Sequence, residues 1–184
     1  MLGTVVCLLA PGALAQQPRS PQMPAPPPMR FVSRDERSQL ARAKDSKSRV
    51  RTTIELAEDR LARAEDLTSQ KEFDHASEQL GGYLGLIDDA RVFLGAMNRE
   101  KTSTRDLYRR LDIALRAHIP RLAVMRRTTP AEHAVNIKAA EEYARNTRTE
   151  ALESFYGHSV LREDVSNEKK SDKTKDSPDP NKRP

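Results

Sequence analysis

Tryptophan is missing from this chain, and cysteine occurs once, at Cys7. A lone cysteine excludes an internal disulfide and a multi-thiolate metal site. The residues before it, Thr4-Val5-Val6, lack the small side chain expected ahead of a lipoprotein cysteine. Aromatics make up 4% of the chain, too few for a platform on which nucleic-acid bases stack. Seven glycines among 184 residues leave no glycine-rich phosphate loop, and no G-x-S-x-G occurs. Long hydrophobic runs are confined to the first fifteen residues.

That opening run, "MLGTVVCLLAPGALA", carries no charged side chain and ends in Ala13-Leu14-Ala15. An apolar stretch closed by A-x-A reads as a signal peptide cleaved after Ala15. It lacks the basic residues that usually come first. It is also short for a span of about 20 residues, which argues against a retained anchor. The expected product is exported, periplasmic or secreted, with no transmembrane segment and no cysteine.

Residues 16–33 follow as a linker. The stretch "QQPRSPQMPAPPPMR" holds six prolines and reads as disordered or polyproline II. At the other end, residues 159–184 set seven Lys/Arg against six Asp/Glu with few apolar side chains, a composition that favours a disordered tail.

Charged residues account for 32% of the chain, and residues 34–158 are rich in Ala, Leu, Arg and Glu, a helical composition. Four segments show helical periodicity. The first runs from Arg34 to Thr68 on Val50, Ile54, Ala57, Leu61 and Ala64, and "KDSKS" at Lys44–Ser48 is a place where it could break. The second carries the stripe Phe73, Ala76, Leu80, Tyr83, Ile87, Ala90 and Leu94, with Ser69 and Glu72 at capping-box spacing. The third, Thr104–Arg127, has Leu107, Leu111, Ala114, His118, Leu122 and Met125 on one side, and Pro120 predicts a kink. The fourth starts at Thr129-Pro130, with Thr129 as N-cap and Glu132 three residues on, and ends near Tyr156 with Gly157 as C-cap. Short connections make neighbouring helices antiparallel. The expected fold is all-α: an up-down-up-down four-helix bundle with disordered N- and C-terminal tails.

Charge is distributed unevenly. Lys101–Thr128 holds eight basic residues against Asp106 and Asp112, whereas Lys71–Glu100 is net −3 and Pro130–Gly157 net −2. At about 100° per residue, Arg105, Arg109, Arg116 and Arg127 fall within about 40° of each other, nearly opposite the apolar stripe. They form a solvated face or a docking strip for an anionic partner, such as an envelope polymer or lipid headgroups. Nucleic acid is not expected as a partner, because the chain is exported and no aromatics interleave with the arginines.

Gly81, Gly82 and Gly85 interrupt the second segment, each at a cost of about 1 kcal/mol relative to alanine. They lie opposite its stripe, near Val92. Gly81, Gly82, Gly85 and Val92 make a candidate helix-contact face, for the first helix's overhang or for a second copy of the protein. Simple tolerance or a local kink is the alternative.

Several chemical motifs dissolve on inspection. Glu72-x-x-His75 has the spacing of a carboxylate-bridged metal site, but no second such motif exists and His75 points away from the stripe. His118 reads as a core histidine. His118 and His133 are offset by about 9 Å along the bundle, too far to share an ion. Asp88 and Asp89 point about 100° apart. No catalytic constellation, metal site or cofactor is expected. A protein partner or homodimer is the first functional expectation.

The stretch "IELAEDRLARAEDLTSQKEFDHASEQLGGYLGLIDDARVFL" resembles a tetratricopeptide helix pair, which implies a helix hairpin over these residues. The region from Arg49 to Val160, including "HIPRL" and "TPAEHAVNIKAAEEYAR", resembles uncharacterised exported all-helical proteins of bacteria. That resemblance implies a compartment and a fold, with no activity and no functional residue attached.

Overall fold

The computed structural model describes residues 24–173, with side chains to Tyr156. The expected signal peptide and the end of the tail, 174–184, lie outside the described residues. Among the described residues the chain is all-helical, with five helices and no strand: α1 (Arg34–Ala41), α2 (Ser46–Ser69), α3 (Phe73–Gly95), α4 (Thr102–Thr128) and α5 (Ala131–Lys173).

The expected first helix is two. Ser33 starts α1 with a capping box: its hydroxyl accepts from the Glu36 amide at 3.2 Å, and its own amide donates to Glu36 Oε2 at 2.7 Å. Inside "KDSKS", Asp45 repeats the device with Ser48 and starts α2. A side chain that satisfies the free amides of a new first turn stabilises a helix start over continuation of the old one.

The expected start of the second segment also moves. Ser69 is the last residue of α2, and its hydroxyl donates to the Asp66 carbonyl at 2.7 Å. Glu72 precedes α3 without a side-chain cap. The reversal is a Schellman turn: the Glu72 amide reaches the Leu67 carbonyl at 2.9 Å, the Lys71 amide reaches that of Thr68 at 3.1 Å, and Lys71 adopts φ 64°.

Thr129 likewise closes a helix rather than opening one. Its hydroxyl donates to the Met125 carbonyl at 2.8 Å, at the end of α4. The Pro130 carbonyl accepts from the Ala134 amide at 2.9 Å and begins α5. Pro120 sits inside an α4 that runs unbroken past it. Gly157 does not stop α5, which continues to Lys173. No proline follows until Pro178, and Leu161, Arg162, Glu163, Lys169 and Lys170 are good helix formers, so one glycine is outweighed.

Helix α2 packs on α3 and α4 on α5; α3–α5 and α2–α4 contacts join the pairs, and α1 lies on α2. The core combines Val50, Leu61, Leu80, Tyr83, Leu86, Ile87, Leu94, Leu111, Leu115 and Leu122. Small residues of α5, Ala140, Ala144, Thr147 and Ala151, are buried against it. Every residue of α3 from Leu80 to Ile87 is buried, so this stretch is covered on all sides, not only along its stripe.

The cover opposite the stripe is an extended strap, residues 24–33. The Ala25 amide donates to the Glu132 carbonyl at 2.9 Å, and Asn136 Nδ2 donates to the Pro26 carbonyl at 2.9 Å. The Phe31 amide faces the Gly81 carbonyl at 3.4 Å. Arg30 lies over the Tyr143 ring, 4.1 Å from its centre. The proline-rich residues from 24 onward are therefore seated on α3 and α5.

Lys71 holds a left-handed conformation that costs an L-residue energy and costs glycine none. Lys71→Gly is expected to stabilise the fold by about 1 kcal/mol. The urea midpoint at unchanged slope reads this out, and an unchanged or lower midpoint contradicts it.

Candidate functional surface

The arginines of α4 divide by their position around the helix. Arg121 and Arg126 flank the core-facing side and are paired. Arg121 makes two bonds to Glu65, at 2.8 and 2.6 Å, with Glu58 at 3.8 Å. These carboxylates hold the Arg121 guanidinium above its ordinary pKa, burial opposing them. Arg126 reaches Glu141 at 3.1 Å, where Arg145 also binds at 2.6 Å. The bond from Arg145 is the first cause that holds Glu141 below the usual carboxylate range; burial opposes it, and Arg126 adds to it.

Arg105, Arg109, Arg116 and Arg127 point the other way, and none of them contacts a carboxylate among the described residues. Arg109, Arg116 and Arg127 are exposed. Arg127 donates to the Ala123 carbonyl at 3.1 Å. Arg105 is half-buried, reaches Thr102 Oγ1 at 3.4 Å, and has a buried Nε with no hydrogen-bond partner. Asp112, which helical geometry places beside Arg105 and Arg116, is taken by Arg148 of α5 at 2.8 Å. Of the two acids on α4, Asp112 is thus turned away from the strip, and Asp106 is exposed near its N-terminal end. Ile113 and Val124 share the outer side of α4 and are 57% and 55% exposed.

The candidate helix-contact face has a different occupant from the one expected. A side chain at Gly81 would meet the Met29 carbonyl oxygen, and one at Gly85 the Phe31 backbone. A side chain at Gly82 would stand 2.9 Å from Arg60 Nε of α2. Arg60 is pinned there by Glu36 at 2.7 Å and Gln79 at 2.8 Å. The glycines admit the chain's own strap and one guanidinium, and the strap fills the place reserved for a second copy over Gly81 and Gly85. Val92 is exposed and outside these contacts. The sequence signal for the strap was present in the three glycines; the Asn136 and Arg60 clamps had none, because their partners are remote in sequence.

His118 is buried, 2% exposed, with Nδ1 3.5 Å from the Tyr83 hydroxyl and the two rings edge to face. Burial pushes the Tyr83 hydroxyl up, well out of physiological range. His133 stacks on Phe73 at 5.2 Å and lies 3.9 Å from Asp74. Glu72 and His75 are exposed and converge on nothing. Asp88 accepts from the Tyr143 hydroxyl at 2.6 Å and from Arg91 at 3.0 Å, whereas Asp89 pairs with Arg49 at 3.2 Å. The adjacent carboxylates thus serve different partners. Among the described residues no group of His, Asp and Glu could hold a metal ion, and no helix is long and apolar enough to cross a membrane.

Burial first, and then the charge of Arg121, lower the His118 pKa from its ordinary 6.5, with Glu58 and Glu65 offsetting part of this. The unfolded chain therefore takes up this proton before the folded one does. The contribution of His118 to stability is constant above about pH 6.5 and is lost as pH falls below it. Urea midpoints at stepped pH should show that decline in the wild type and a flatter profile in His118→Leu; equal profiles would contradict it.

Gly85→Ala should lift the strap from α3 and cost roughly 1–3 kcal/mol. Hydrogen exchange at the Ala25 and Phe31 amides reads the strap directly, and undiminished protection there would show that the glycine is not its seat.

No protein-family model, curated protein or solved structure matches the chain.

Proposed function

We propose that this chain is a non-enzymatic binding protein, exported to the periplasm or beyond after cleavage near Ala15. Its helices α2–α5 form an up-down-up-down bundle with α1 and the strap laid on the side. The working surface is the outer face of α4, and its partner is an anionic component of the cell envelope.

One observation carries this reading: Arg105, Arg109, Arg116 and Arg127 lie on one side of α4 without a carboxylate contact among the described residues, whereas Arg121 and Arg126 on the same helix are paired. Like charges within one helical strip repel each other, and among the described residues no carboxylate pairs with these four. An anionic partner would. Guanidinium groups suit phosphate and carboxylate alike, because their donors form a planar fork that binds two oxygens at once. Self-association through Gly81 and Gly85 has less support, since the strap lies there.

Arg109 and Arg116 are the positions to test, being exposed and uninvolved in the fold. Arg109→Glu with Arg116→Glu is expected to weaken binding to an anionic vesicle or to polyglutamate at least tenfold at low salt. Wild-type binding should itself decline as salt is raised. Co-sedimentation and retention on an anionic column measure this; full retention by the double variant refutes the reading.

A further inference from the structure

We propose that the anionic component is a lipid surface, on which α4 lies lengthwise with Ile113 and Val124 set among the headgroups. This rests on the reading of the α4 face as the working surface and names its partner.

The argument starts from what else that face carries. From Arg105 to Arg127, α4 spans about 33 Å at ~1.5 Å per residue. At about 100° per residue, Ile113 and Val124 fall within about 20° of each other, beside the arginine strip, with Pro120 close by. Ile113 and Val124 are more than half exposed, and Ala117 and Pro120 between them are exposed too. No described element seals this side, and Val124 borders an open cleft that it lines with Glu65, Thr68, Lys71 and Phe73.

A soluble polyanion is held by charge alone and leaves these apolar side chains in water. A bilayer surface answers both features together. Phosphates meet the guanidinium groups, and the aliphatic side chains leave water at the boundary between headgroups and acyl chains. The face is also poor in opposing charge. Asp106 is exposed near its N-terminal end, and Asp112 is engaged by Arg148. Tyr108 is buried, so the outer face offers no aromatic ring to stack on a base or a sugar. No described helix crosses a membrane, and the association proposed is peripheral.

The test uses the full chain and three probes: phosphatidylcholine vesicles, mixed phosphatidylglycerol/phosphatidylcholine vesicles, and soluble polyglutamate. The phosphatidylcholine arm accounts for any partition driven by the apolar N-terminal run. The anionic vesicles are expected to bind more chain than the neutral ones. Ile113→Ser with Val124→Ser should weaken binding to the anionic vesicles about fivefold and leave polyglutamate binding unchanged. Both substitutions lie on exposed positions, and an unchanged far-ultraviolet dichroism spectrum confirms the fold.

If the apolar pair binds anionic vesicles as the wild type does, or if the wild type binds polyglutamate and not anionic vesicles, the lipid inference is overturned and the anionic docking face stands. If the wild type binds neither anionic probe at low salt, the docking face itself is overturned.

Discussion

Between Leu80 and Ile87, helix α3 is buried on every side, and much of the remaining structure serves to keep it so. Its stripe side meets the core through Leu80, Tyr83 and Ile87. Its other side is glycine, which brings backbone to the surface and offers little apolar area of its own. That side is stable only where something thin lies directly on it. An extended chain is thin enough; a helix with side chains is thicker. The strap supplies this cover, and its prolines limit how much freedom it loses on seating. Arg60 fills the remaining gap over Gly82, held by Glu36 and Gln79. Burial works against the charge on Glu36, and the hydrogen bonds from Arg60 and Ser33 outweigh it, so the carboxyl sits below its ordinary range. The start of α1 is thus tied through Ser33 and Glu36 to the same guanidinium that covers α3.

A second division organises the charges. Arginines that face a neighbouring helix are paired across it: Arg49 with Asp89, Arg121 with Glu65, Arg126 with Glu141, Arg148 with Asp112. Such pairs between partly buried side chains choose neighbours and register more than they add stability. They also consume acids. The outer arginines of α4 are left with a local excess of positive charge, while Glu65, Glu141 and Asp112 are committed to the seams.

Periodicity made the core legible. Val50, Ala57, Leu61 and Ala64, the α3 stripe from Ala76 to Leu94, and Leu107, Leu111, His118, Leu122 and Met125 are buried as their spacing required. Phe73, Ile54 and Ala114 are only half-buried, lying at stripe edges or a helix end. Helix ends were less legible. Ser69 and Thr129 have cap chemistry, yet each hydroxyl turns back to close the preceding helix, because the same side chain can serve either end and the local turn decides. Gly157 was expected to stop α5 and does not, since a glycine terminates a helix where the chain reverses and the residues after it are strong helix formers.

What the sequence determined by itself was short-range: helices throughout the described core, the faces that go inward, the arginine strip at helical spacing, and glycines that demand a close neighbour. Those follow from repeat distances of three and four residues, which one helix sets alone. What only the tertiary structure decided was the identity of the neighbours. The glycines face residues 28–31 rather than another helix, and Asp112 turns to Arg148 rather than to the strip beside it. Such choices depend on which surfaces compete for the same space and the same charges, and the competitors are brought together only when the helices pack.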